Sequence, residues 1–280
     1  MFEKLNLGMR GHDLNYDTPE QLAKALNKVG ATSVQLALKK SFPWIKGEES
    51  LTPSLGRYIK KCFDENGVNL SVLGCYINPV AEDDKVLRNQ LDWFKANLIF
   101  AKYLGADMVG TETGPFNDPD PEKIEANYQK FLSSMKELVE VAEKVGTMIG
   151  IEAVVNNTIC SPQVIKRFLD DINSPCVCVI FDITNALPSE DIQIQHKVVD
   201  EMFELCGNKI GVIHLKDFGY AQDGRRKYII AGDQGGVVDF EYFLKKVKEN
   251  CPCIDAIIEE VPEENFHIYS KKMAEIWEKA

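Results

Sequence analysis

One phrase recurs along this chain and constrains it more than any other feature. An amphipathic stretch closes at a glycine, and within a few residues a short apolar run begins. It occurs at Gly30 before Ser33 to Leu36, Gly67 before Leu70 to Leu73, Gly105 before Met108-Val109, Gly146 before Met148 to Ile151, and Gly207 before Ile210 to Ile213. Glycine adopts the left-handed conformation that ends a helix, so each phrase reads as helix, C-cap, strand. Two joints use Asn173-Ser174-Pro175 and Asn250-Cys251-Pro252 instead, ahead of Val177 to Phe181 and Ala256 to Ile258. Helix starts are marked by a capping residue followed by proline at Thr18-Pro19, Thr52-Pro53, Asp120-Pro121 and Ser161-Pro162, where the missing amide hydrogen costs nothing. Gln21 stands three residues after Thr18, the spacing of a capping box.

With the opening run Leu5 to Gly8, eight apolar strands alternate with helices, at a period of roughly 35 residues. The strands are continuous apolar runs, which predicts burial on both faces. An open doubly wound sheet would carry a glycine-rich dinucleotide fingerprint after its first strand, and none is present. The expectation is an α/β chain, a (β/α)8 barrel, forming one domain over residues 1–280, with no linker or low-complexity segment to mark a second.

The 280 residues, 45% hydrophobic, suffice for one large core. No apolar run is long enough to span a membrane, and the opening Met1 to Asn6 leads into no signal-peptide core. Eight cysteines in a chain of this size, several within apolar runs such as Cys176-Val177-Cys178, fit a reducing cytoplasm better than a disulfide framework. The two C-x-C pairs lack structural-zinc spacing. A net charge of −11, with Arg225-Arg226-Lys227 as the only basic cluster, excludes nucleic acid as the expected partner. The composition and charge are equally compatible with a homo-oligomer.

In such barrels the working side chains stand at the C-terminal ends of strands. Glu152 follows strand five, Asp182 strand six, His214 lies within the end of strand seven, and Glu259 closes strand eight. Singly, each has a plain reading as a cap, a solvated loop residue or a core histidine. Together they would put three negative charges in one partly buried pocket, which is costly without a cation. A divalent metal held by Glu152, Asp182, His214 and Glu259 removes that repulsion. Oxygen-rich ligation with one imidazole favours Mn²⁺, with Co²⁺, Mg²⁺ and Zn²⁺ also compatible.

The same residues carry a resemblance. Ile151-Glu152, Val179 to Asp182 followed by Asn185, Val212-Ile213-His214-Leu215-Lys216-Asp217 and Ile258-Glu259 resemble the xylose isomerase-like TIM barrel superfamily, in particular its sugar phosphate isomerase/epimerase branch. Leu73 to Pro79 and Gly110 to Gly114 are similar to that branch as well. The resemblance implies a metal on the residues matching Glu152, Asp182, His214 and Glu259, with both glutamates doubling as acid and base. Two departures concern the substrate: Asn185 stands where ketose 3-epimerases of the superfamily carry a histidine, and Lys216-Asp217 where they tend to have an arginine.

The chemistry expected is isomerisation or epimerisation of a small ketose, keto-cyclitol or sugar phosphate through an enediolate, with Glu152 and Glu259 exchanging the protons. Loss of a β-hydroxyl from the same start gives dehydration, so an inosose dehydratase-like lyase is the alternative. A barrel that binds sugars without turnover is the alternative of another class. The endonuclease branch of the fold needs more histidines than the four present. His12, Glu112, Asn185 and Lys216 are candidate substrate contacts. Lys216 could instead pair with Asp217 or Glu259. Phe42 and Trp44 either wall the sugar or pack the core or a subunit contact. His196 and His267 fall on outer helices and take no role, and Gly232 to Gly236 is too short a signal to assert a phosphate cradle.

Overall fold

The computed structural model describes residues 4–188 and 191–280; Met1 to Glu3, read above for a leader, lie outside them. Eight parallel strands close on themselves. β1 (Asn6–Arg10), β2 (Ser33–Leu36), β3 (Asn69–Gly74), β4 (Met108–Thr111), β5 (Met148–Glu152), β6 (Val177–Asp182) and β7 (Ile210–Tyr220) are joined in order. β8 (Arg226–Ile230) is a hairpin arm antiparallel to the outer half of β7, and β9 (Asp255–Ile258) closes the barrel between β7 and β1. Strand eight of the sequence reading is therefore β9. No helix among the described residues is long and apolar enough to cross a membrane.

The helices begin where the capping pairs stand. The hydroxyls of Thr18, Thr52 and Ser161 accept the backbone N–H of Gln21, Leu55 and Val164, and the Asp120 carboxylate accepts that of Glu122. Each such cap stabilises its helix by about 1 kcal/mol. Gly30, Gly105, Gly146 and Asn173 end their helices in the left-handed region. Gly207 does not: its φ is −54°, because the chain runs from the helix Gln195–Cys206 directly into a 3-10 turn, Gly207–Lys209, that any residue could make.

Two apolar layers hold the barrel. The outer one lies between strands and helices and includes Phe94, Phe131, Phe168, Phe243 and Trp277, all buried. Each such side chain contributes roughly 1.5–3 kcal/mol on leaving water. The inner layer fills the lumen with Val72, Met108, Cys178, Ile180, Val212 and Ile257. It is crowded enough that a Cβ on Gly150 would come within 2.9 Å of the Ile180 side chain and 2.7 Å of the Met108 sulfur. Glycine in β5 thus makes room for the larger residues opposite.

Candidate metal and active site at the barrel mouth

Strand alternation builds the site. On β6 the inward row runs Cys178, Ile180, Asp182; on β7 it runs Val212, His214, Lys216; and β9 offers Ile257 and then Glu259 just past its end. Each row begins as lumen core and ends as a polar group, because residues two apart share a face. Glu152 is the last residue of β5. His214 lies mid-strand rather than at a strand end, because β7 continues to Tyr220 as one arm of the hairpin.

Ligand atoms of Glu152, Asp182 and His214, all buried, lie within 4.8 Å of one another. Glu259 stands beside this group and not within it. Its Oε1 is 3.2 Å from His214 Nδ1, and its Oε2 is 2.8 Å from Lys216 Nζ. Glu152 Oε2 is 3.5 Å from the same Nδ1. Lys216 pairs with Asp182 Oδ2 at 2.7 Å as well as with Glu259. Its side chain points away from Asp217, whose Oδ1 accepts the backbone N–H of Phe218, Val237 and Val238. That carboxylate pins the loop containing Gly232 to Gly236 from within.

The imidazole of His214 tests whether a metal fits. Gln35 donates through Nε2 to the Tyr76 hydroxyl, which leaves its Oε1 to accept from His214 Nε2 at 2.8 Å. A neutral imidazole then carries its lone pair on Nδ1, and Nδ1 is buried without a hydrogen-bond partner. It faces the carboxylate oxygens of Glu152 and Glu259. A lone pair against two carboxylates is repulsive unless a proton or a metal ion lies between them, so the donor set fits a divalent cation. The only sequence signal for Gln35 is a polar residue inside the strand Ser33-Val34-Gln35-Leu36, and its partner His214 is not legible there.

The charges are tightly interdependent. Burial would raise the Glu152 carboxyl, but His214 and Lys216 outweigh it and hold it below the ordinary range. Glu259 is held at about 2, against burial, by His214, Lys216 and Arg10. Asp182 is raised by burial and by Glu152 and Glu259, in spite of Lys216. Burial opposes a charge on His214, yet Glu259 and Glu152 draw it upward.

Above this cluster opens a cavity of about 310 Å³, lined by His12, Glu112, Asn185 and Lys216 together with Arg10, Lys40, Tyr76, Glu152 and Glu259. All four candidate substrate contacts therefore face one space. Asn185 donates to Glu152 Oε1 at 2.6 Å. Glu112 accepts from Asn157 and is raised by burial and by Glu152. His12 is pushed down to about 4 by burial, with Arg10 and Lys40 adding to the effect. Arg10, which reaches Asp13, Glu260 and Glu259, is a mouth residue the sequence reading passed over. Phe42 and Trp44 do not line the cavity. They stack on each other at 5.6 Å: Phe42 is fully buried and packs the core, while Trp44, half exposed, covers it from outside and donates to the Asp17 carbonyl. His196 bonds Asp239 on the outer surface.

A closed parallel barrel with a buried carboxylate and imidazole cluster at the C-terminal mouth defines a class of proteins. The chain matches the xylose isomerase-like TIM barrel family over residues 23–278 and belongs to it. Among solved structures it is similar to a D-tagatose 3-epimerase-like protein (18% identity, TM-score 0.75, covering 98% of this chain and 99% of the other). It is also similar to the IolI protein crystallised with a bound zinc atom (15%, TM-score 0.69, 98% and 96%). A third is the probable 3-DHS dehydratase AsbF of Bacillus anthracis (12%, TM-score 0.70, 97% and 98%). At these identities the likeness establishes the fold. No curated protein sequence matches the chain significantly.

Proposed function

We propose that this protein is a divalent-metal-dependent isomerase or epimerase of a small ketose, keto-cyclitol or sugar phosphate. The observation that carries the reading is the bare Nδ1 of His214, aimed at Glu152 and Glu259 beside Asp182. Glu152, Asp182, His214 and Glu259 would hold the ion, with Mn²⁺ the first choice. When bound, it supplies Lewis acidity toward a sugar carbonyl and its neighbouring hydroxyl.

The chain supplies the rest. Glu152 and Glu259 stand on either side of His214 Nδ1 and both line the cavity, so either can take a proton from the carbon next to the carbonyl while the other returns one. Asn185 orients Glu152 through its 2.6 Å hydrogen bond. His12, Glu112 and Lys216 line the space where sugar hydroxyls would lie. All eight cysteines are free, in keeping with a cytoplasmic protein.

The test is turnover of a ketose panel by the Mn²⁺-loaded protein in deuterium oxide, followed by NMR. Deuterium should appear next to the carbonyl, and Glu152→Gln and Glu259→Gln should each lower product formation by about 10²–10⁴-fold. Near wild-type turnover in both variants would sink the two-base scheme. Loss of a β-hydroxyl from the same start remains the second reading, supported by the likeness to a probable dehydratase. Keto-inositols would then yield an enone chromophore.

A further inference from the structure

We propose that Lys216 is the built-in counter-cation of this site, and that a divalent ion must displace it from Asp182, so that the lysine sets how tightly metal binds. The inference rests on the metal reading above and concerns a residue for which that reading has only a substrate contact.

The placement of Lys216 is dictated by the hairpin. Because β7 continues beyond His214 and Lys216 pairs with Ile230 of β8, the position two after the histidine is still strand and still points inward. A loop at that point could turn its lysine to solvent; this one cannot. The ammonium ends 2.7 Å from Asp182 Oδ2 and 2.8 Å from Glu259 Oε2, with its side chain 10% exposed.

Asp182 is the residue over which the two cations meet. Its Oδ1 accepts the backbone N–H of Asn185 at 3.1 Å, which caps the short helix Ile183–Ala186. That leaves Oδ2, buried and without a hydrogen bond, as the oxygen best placed to ligate, and the Lys216 ammonium stands against it as an ion pair at 2.7 Å. An ammonium and a divalent ion on one buried oxygen repel each other where little water screens them. The lysine has somewhere to go: it lines the cavity above, and the ring of Tyr228 on the hairpin lies 5.3 Å from Nζ, a face that stabilises a cation. Released there, the ammonium stands in the space a sugar would fill.

A merely structural lysine predicts the opposite sign, since removing it would scatter the carboxylates and weaken metal binding. The experiment is calorimetric titration of Mn²⁺ into chelator-treated wild type, Lys216→Met and Lys216→Gln at one pH, with no substrate present. Both variants should bind Mn²⁺ at least about tenfold more tightly. Their metal-free forms should melt lower than wild type and gain more on adding Mn²⁺. An unchanged or raised Kd, with wild type still binding, overturns the competition and leaves the metal reading standing. Mn²⁺ bound by none of the three proteins overturns both. Should the variants not fold, a Mn²⁺-bound crystal structure of the wild type decides: Nζ withdrawn from Asp182 Oδ2 supports the proposal, and Nζ still within hydrogen-bond distance of it overturns it.

Discussion

The lower and upper halves of the barrel interior are built from the same strands and obey opposite rules. Below, Val72, Met108, Cys178, Ile180, Val212 and Ile257 fill the lumen by shape alone. Two residues further along the same strands, Asp182, His214 and Glu259 are equally buried but held by charge, with Lys216 and Gln35 as their partners. The side chains of this lower layer are apolar, so their contribution to stability is set by volume, with the small buried hydroxyls of Ser33 and Ser71 the polar exceptions beside them. The upper half is stable only while each charge keeps an opposite neighbour, which makes it sensitive to ions and open to ligands. The inert layer thus serves as the floor on which a reactive one can be held.

The sharpest way to break this division is to remove one group from each half. His214→Ala should abolish stoichiometric Mn²⁺ binding, weakening it by more than about 100-fold, because a ligand and its supported lone pair go together. Elemental analysis and circular dichroism on the same sample would check that the fold survives; full metal occupancy would place the ion elsewhere. Ile180→Ala, one layer down, should instead cost about 2–5 kcal/mol of stability in chemical denaturation and leave the Mn²⁺ affinity of the folded protein unchanged. A large affinity change there would mean the two halves are not separable.

A smaller effect is expected where the halves meet a supporting residue. Gln35→Ala deletes the acceptor that fixes the His214 ring and should weaken Mn²⁺ binding by about 10–100-fold without removing a ligand. Titration calorimetry would show it, and an unaltered Kd would mean packing alone orients the imidazole.

The smallest effect is a pH dependence at the rim. His12 is lowered from its ordinary value to about 4, by burial first and then by Arg10 and Lys40. A depressed folded-state pKa means that the unfolded chain takes up the proton first. Stability is therefore intact above about 6.5 and falls as pH drops from there toward about 4. The difference in melting temperature between wild type and His12→Gln should narrow over that window as pH falls, if the wild type is the more stable at pH 7. A constant difference would show that His12 keeps no charge-dependent role in the mouth.

The barrel is legible in the amino-acid order alone, because its signals are local and repeated. Thr18-Pro19, Ser161-Pro162, Gly105 and Asn173 act through their own backbone and need no distant partner to be understood. The same order also points to the mouth, since period-two alternation sends Glu152, Asp182, His214 and Glu259 inward once the strand ends are known. What tertiary structure decided was who meets whom. The pairing of Lys216 with Asp182 and Glu259, the hydrogen bond from His214 to Gln35 some 179 residues away, and the reach of Arg10 to Glu260 depend on closing the ring of strands. The extension of β7 into a hairpin with β8 was equally hidden, because β8 opens on Arg226 and Lys227 and its short apolar part, Tyr228-Ile229-Ile230, follows no helix and so falls outside the repeating helix, C-cap, strand phrase. A pairing edge is satisfied by backbone hydrogen bonds, which leave little mark on side-chain composition.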